Sequence, residues 1–222
     1  MSVLIDRGVL ATKVAQYRQE GRRVGLAVGT FNPPRIYPPH DHHGQMLTDA
    51  RDYLGKHGVL VIAINDDPSL MDYRGSNGHK IIRLPEKDEI MVYLEANRSI
   101  DPANIYKYLL ERFVPSALNG QTNEYYPFPA AWRAKSLRQL PCVSHVVAFP
   151  EPTAVRTIEL LGPDLLIKGK DYTIGTINQD ECRAMGSNKN IAFAGNGTKA
   201  GGNDIRRHVE LYFKDQLEGW FI

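Results

Sequence analysis

Cysteine is scarce in this chain, with Cys142 and Cys182 the two among 222 residues. Two thiols so far apart make neither a disulfide framework nor a metal-ligating cluster, so a reduced compartment, the cytoplasm, is expected. Long apolar runs are also missing. No stretch approaches the about 18 residues that a membrane-crossing helix needs, and the N-terminus lacks the basic-then-apolar pattern of a secretion signal. An excess of one charge is lacking too: 27 Lys and Arg against 25 Asp and Glu leave a net charge of +2, with no basic block to concentrate it. Nucleic acid and membrane are therefore not expected as partners, and a small basic pocket for phosphate is enough to explain the balance. What the chain does have is 42% hydrophobic residues, enough to bury a core as one domain with an insertion or as two small ones.

One stretch, Arg23 to Asp67, organises the rest. Val24 to Val28 is an apolar run ending at Gly29, where a small residue lets backbone approach a ligand. A Gly/Pro-rich loop with a histidine cluster follows, then a helical run, then the apolar strand Val59 to Asn65. That order predicts a βαβ unit. His40 and His43, three apart as helical character begins, fall on one face of a helix N-terminus, where free N–H groups and the dipole favour phosphate. Two imidazoles there can donate hydrogen bonds to charge that builds up during phosphoryl or nucleotidyl transfer.

In chain order, Ser2 to Glu20 reads as a helix, with Leu4, Val9, Leu10, Val14 and Tyr17 placed to pack on the sheet edge or on a second subunit. Asp67-Pro68-Ser69 reads as a turn, and Arg74 follows in a loop. Helices are expected over Glu86 to Asn97 and Pro102 to Phe113. The polar loop Pro115 to Pro129 then brings Tyr125, Tyr126 and Phe128, which cap a substrate, contact a partner or pack back onto their own domain. A helix from Arg133, a strand Val143 to Phe149 and a helix Ala154 to Leu161 come next. The run Pro163 to Tyr172 reads as a strand feeding a glycine turn, which sets Lys168, Gly169 and Asp171 at the carboxyl end of a sheet, where open α/β sheets bind ligands.

Gly29-Thr30-Phe31-Asn32 followed by His40 and His43 resembles the first signature of the H-x-G-H nucleotidyltransferase superfamily. Five extra residues separate Phe31 from His40, and His42 stands where the family has glycine. The match continues through Leu47, Ala50-Arg51 and Val59 to Asn65, closing on Asp67. From Arg133 to Tyr172, with Lys168-Gly169-Lys170-Asp171-Tyr172 as a full K-G-x-D-Y, the chain is similar to the adenylyltransferase half of ADP-heptose synthase and to glycerol-3-phosphate and ethanolamine-phosphate cytidylyltransferases. The last signature departs. Where the family has a Ser/Thr pair, this chain has Gly201-Gly202-Asn203-Asp204, although Ile205 and Arg206 remain and the glycine N–H groups can still cradle phosphate.

The resemblance implies an α/β, Rossmann-like fold with a mostly parallel five- or six-stranded sheet, helices on both faces and a helical and loop insertion. A single nucleotidyltransferase domain would comprise an N-terminal helix (1–21), a first half with the histidines (22–79), the insertion (80–130) and a second half (131–222). It implies transfer of a nucleoside monophosphate from CTP or ATP to a phosphorylated sugar, polyol or alcohol, with release of pyrophosphate and with Mg²⁺ on the triphosphate. His40, His43 and Lys168 would be catalytic. Gly29, Thr30, Phe31, Asn32, Asp67, Arg74, Arg133, Gly169, Asp171, Tyr172, Gly201, Gly202 and Arg206 would bind nucleotide, and no metal ligand is assigned. A homodimer is expected. Gly-Thr-Phe-Asn-Pro-Pro and Asp-Ile-Arg-Arg also resemble nicotinate-nucleotide adenylyltransferase of NAD biosynthesis, and a non-catalytic nucleotide-binding protein on the same fold is the alternative from another class.

Overall fold

Val59 to Asn65 is buried at every position, as expected of a parallel strand covered on both faces, and the fold grows outward from it. The computed structural model describes residues 4–33, 42–115, 124–196 and 204–218. In chain order the elements are α1 (Arg7–Gln19), β1 (Val24–Gly29), α2 (His42–Leu54), β2 (Val59–Asn65), α3 (Asp67–Ser76), β3 (Lys80–Ile81), α4 (Lys87–Ala96), α5 (Ile105–Phe113) and β4 (Glu124–Tyr125). Then come α6 (Ala130–Leu137), β5 (His145–Phe149), α7 (Val155–Leu161), β6 (Leu165–Gly169), α8 (Gln179–Ala184), β7 (Ile191–Ala194) and α9 (Asp204–Gln216). They form two units, residues 1–73 with 129–200 and residues 74–128 with 201–222.

The first unit holds a five-stranded sheet in the order β5-β2-β1-β6-β7, and every pairing in it is parallel. On one face α2 and α6 set Leu47, Ala50, Leu54, Ala134 and Leu137 against Ala27, Ile62, Ile64 and Ile167. On the other, α1 and α7 set Leu10, Val14, Ile158 and Leu161 against Leu26, Val61, Val147 and Leu166. Each large aliphatic side chain so buried contributes about 1.5–3 kcal/mol. The expected Rossmann-like α/β fold is the one observed, with five strands in its sheet.

Several local expectations shift. The first helix begins at Arg7 because Asp6 caps it, accepting from Gly8 N and Val9 N, and it packs on a sheet face through Leu10 and Val14. Asp67-Pro68-Ser69 is the first turn of α3 and not a loop turn. Asp66 Oδ1 accepts from Ser69 N at 3.0 Å, and proline is tolerated there because a first-turn N–H has no intrahelical partner. The short α8 and β7 were not anticipated.

In the second unit β3 and β4 pair in parallel, and α9 packs on α5. Tyr126 and Phe128 are buried, with Phe128 edge-on to Tyr212 at 5.9 Å between ring centroids. Of the readings of that loop, these two side chains follow the last: they pack into their own unit. Among the described residues no helix is long and apolar enough to cross a membrane.

Candidate active site

The chain enters its sheet at β1, builds β2 and β5 to one side, then returns to build β6 and β7 on the other. The reversal falls between β1 and β6, and in open α/β sheets ligands bind outside the carboxyl ends of the strands at such a switch point. Gly29 closes β1 there and Gly169 closes β6.

The loop after β1 is held by an aromatic stack. Phe31 adopts a positive φ of 44°, unusual for a bulky residue, and its ring is buried. A Cβ at position 29 would stand 3.1 Å from that ring, so glycine lets Phe31 fold back over the strand end. Phe31 also meets His43, with ring centroids 4.9 Å apart, and His43 meets His42 at 4.3 Å. Because α2 starts at His42, both imidazoles occupy its first turn, at the positive end of the dipole. Met46, one turn on, lies beneath the ends of β6 and β7: a Cβ at Gly169 would be 3.8 Å from its Sδ, and one at Gly195 would be 3.2 Å from its Cβ. Residues three apart share a helix face, so His43 faces the same strand ends. Asp49 adds a tie by accepting from Gly195 N at 3.0 Å. His40, Gly201 and Gly202 lie outside the described residues.

Arg133 is wholly buried. Its guanidinium donates to Thr30 O at 2.8 Å, to Asn65 O at 2.7 Å and to Asp67 Oδ1 at 3.1 Å. The same Asp67 oxygen accepts from Ala130 N at 2.7 Å, at the start of α6. The fork therefore joins the carboxyl ends of β1 and β2 to α6. Arg133 and Asp67, expected at the nucleotide, instead bond within the chain and brace the carboxyl ends of β1 and β2, and the carbonyl of Asn65 is a third member that the residue pattern did not flag.

In the K-G-x-D-Y loop, Asp171 folds over Gly169, since a Cβ at 169 would stand 2.3 Å from Asp171 Oδ1. Tyr172 N donates to Gly169 O at 3.0 Å, and Lys170 N to Ala194 O at 3.0 Å. Tyr172 is 46% exposed. Lys168 takes another direction. Side chains alternate along a strand; Ile167 packs on the α2 face and Leu166 on the α1 face, so Lys168 points to the α1 side. Its ammonium lies 2.6 Å from Glu181 Oε2, and Glu181 Oε1 accepts from Ala154 N at 3.2 Å. Glu181, on α8, is the acidic partner that went unread. Its only trace in the sequence is the helix start at Asn178, whose side chain caps Asp180 and Glu181.

Arg74 and Arg206 belong to the second unit. Arg74 stacks over the Tyr125 ring, 4.6 Å from its centroid, and Arg206 pairs with Glu210 at 3.0 Å on an exposed face of α9. Burial pushes the Cys142 thiol up and Cys182 is buried, which leaves neither as a ready nucleophile.

No family model matches the chain. Over 171 residues, 77% of its length, it is 29% identical to the bifunctional protein HldE of Bradyrhizobium sp. (strain ORS 278). Over 189 residues, 85% of its length, it is 24% identical to HldE of Koribacter versatilis. The chain is similar to part of HldE. A stretch of 55 residues reaches 46% identity with HldE of Citrifermentans bemidjiense. The longer matches cover 24% and 28% of those relatives, so the chain spans about a quarter of the length of each HldE. This relationship agrees with the resemblance to H-x-G-H nucleotidyltransferases carried by Gly29 to His43 and Lys168 to Tyr172.

Proposed function

We propose that the chain is a nucleotidyltransferase that joins a nucleoside monophosphate from ATP or CTP to a sugar phosphate or a similar phosphorylated small molecule. The observation that carries this reading is His43, set in the first turn of α2 beside Phe31, on the helix face that Met46 turns to the ends of β6 and β7, in a chain similar to part of HldE. An acceptor phosphate oxygen attacks the α-phosphorus in line, the bond from that phosphorus to the bridging oxygen breaks, and pyrophosphate leaves with the electron pair. The protein's part is to position the reactants and to stabilise charge. His43, with His40, donates to oxygens that gain charge in the transition state. Gly29 to Asn32 approach the nucleotide through backbone, and Gly169, Asp171 and Tyr172 form the second wall. Lys168 reaches a phosphate only by leaving Glu181.

Among the described residues no three His, Cys, Asp or Glu side chains converge as a metal site. Mg²⁺ would enter as the triphosphate complex, held mainly by phosphate oxygens, and would neutralise charge on the leaving pyrophosphate. The experiment is a pyrophosphate-release screen of the four nucleoside triphosphates against phosphorylated acceptors with Mg²⁺. Release with ATP or CTP and a sugar phosphate is the expected outcome, and no release with any pair overturns the reading. A second reading, a nucleotide-binding protein without catalysis, is favoured by the engaged Lys168 and by the missing hydroxyl pair near Asp204. It predicts nucleotide binding with no release.

A further inference from the structure

The peptide that joins Ala194 to Gly195, at the carboxyl end of β7, is bonded on both of its sides. Its carbonyl accepts from Lys170 N at 3.0 Å, and its N–H donates to Asp49 Oδ2 at 3.0 Å. A trans peptide is planar and aims those two groups in opposite directions, so this one unit ties the K-G-x-D-Y loop to α2. The other carboxylate oxygen is used too: Asp49 Oδ1 accepts from Gln45 Nε2 at 2.6 Å, one turn back on α2. That bond steadies the carboxylate from which Oδ2 reaches the glycine.

Gly195 makes the approach possible. Its φ of +88° is one that L side chains rarely adopt, and a Cβ there would stand 3.2 Å from Met46 Cβ and 3.3 Å from Met46 Cα. The end of β7 can therefore press against the backbone of α2. His43, Met46 and Asp49 follow at three-residue intervals along one ridge of that helix. Asp49 takes the Gly195 N–H, Met46 packs on Gly195 and reaches towards Gly169, and His43 comes next, in the first turn.

We propose that Asp49 is a positioning residue for nucleotidyl transfer: by bolting α2 to the Ala194–Gly195 peptide, it sets His43 against the wall formed by Gly169, Asp171 and Tyr172. The proposal rests on the nucleotidyltransferase reading. Asp49 touches no reactant in it and acts through where it holds His43. A misplacement of about 1 Å can cost about 100-fold in rate. Because His43 meets charge that exists only in the transition state, the loss falls on kcat and spares KM.

Steady-state pyrophosphate release by the full chain tests it, with the triphosphate and acceptor that give release in the screen. Asp49→Ala is expected to lower kcat by about tenfold or more, with KM for the triphosphate within about threefold of the parent, and to speed amide exchange at Gly195 followed by NMR. Asp49→Asn keeps an oxygen that can accept the Gly195 N–H and recovers most of the turnover. Tyr53→Phe is the control. It removes another bond between α2 and β7, from Tyr53 Oη to Phe193 O at 3.1 Å, one turn farther from His43, and keeps the turnover of the parent. Parent-like kcat in Asp49→Ala, a rise in KM as large as the fall in kcat, an Asp49→Asn as poor as Asp49→Ala, or an equal loss in Tyr53→Phe overturns the proposal and makes Asp49 a brace of β7 only. So does an Asp49→Ala chain that no longer folds. These outcomes strike the proposal alone, with an active parent; a parent that releases no pyrophosphate with any pair overturns the nucleotidyltransferase reading and the proposal with it.

Discussion

Lys168 and Glu181 form an ion pair of 2.6 Å with side chains 11% and 6% exposed, on the face of the sheet that α1 covers and α2 does not. Removing one partner of such a pair leaves a charge in a dry place and costs about 3–5 kcal/mol, whereas replacing both by apolar groups is often neutral. Glu181→Leu should therefore destabilise the chain by about that amount in urea unfolding, and Lys168→Met with Glu181→Leu should recover most of it. The double variant also separates two roles for the lysine. If Lys168 contacts phosphate, the folded double variant loses pyrophosphate release; if release persists, the lysine is a brace between β6 and α8.

Arg133 makes the second such test. Its planar fork spans two backbone carbonyls and a carboxylate, a geometry that an ammonium cannot copy. Arg133→Met leaves the buried Asn65 carbonyl without its side-chain donor and removes the donors to Thr30 O and to the part-exposed Asp67 carboxylate, and should cost about 1–3 kcal/mol in urea unfolding, with Arg133→Lys falling between it and the parent. A loss of nucleotide affinity in Arg133→Lys with parent-like stability would instead place the guanidinium at the ligand.

Why some of this was legible and some was not follows from the range of each interaction. Val24 to Gly29 and Val59 to Asn65 announce themselves because strands buried on both faces must be apolar throughout, and Gly29 and Gly169 mark strand ends where backbone folds tightly. The Asp67 turn was misread because Asp-Pro-Ser serves equally as a turn and as a capped first helical turn. β7 is four residues long, too short to carry a period. The acceptors of Arg133 are carbonyls 103 and 68 positions away, and every residue has a carbonyl. Glu181 pairs with Lys168 only because α8 returns against β6, a relation that lives in the topology.

His43 tests the proposed chemistry. If its imidazole donates to charge that exists only in the transition state, His43→Ala lowers turnover by about 100-fold while nucleotide affinity changes only a few-fold. Phe31→Leu, which removes the ring that holds His43, should show a weaker loss of the same kind. Equal losses in affinity and turnover would assign His43 to ground-state binding.

Tyr212 predicts an alkaline limit in the second unit. Burial, with the Glu86 carboxylate next in weight, pushes its phenol from 10.0 up to about 12, and the hydroxyl donates to Pro85 O at 2.9 Å. The folded chain thus holds this proton more tightly than the unfolded chain does. The stabilisation is complete below pH 10, where both states are protonated, and is lost as pH rises through about 12. Urea midpoints measured across that window should fall for the parent chain. Tyr212→Phe keeps the ring against Phe128 but has no proton to lose; it starts less stable at neutral pH for want of the bond to Pro85, and the gap to the parent should close as pH rises. A gap that stays constant from pH 10 to about 12 would mean that Tyr212 ionises in the folded chain as readily as in the unfolded one.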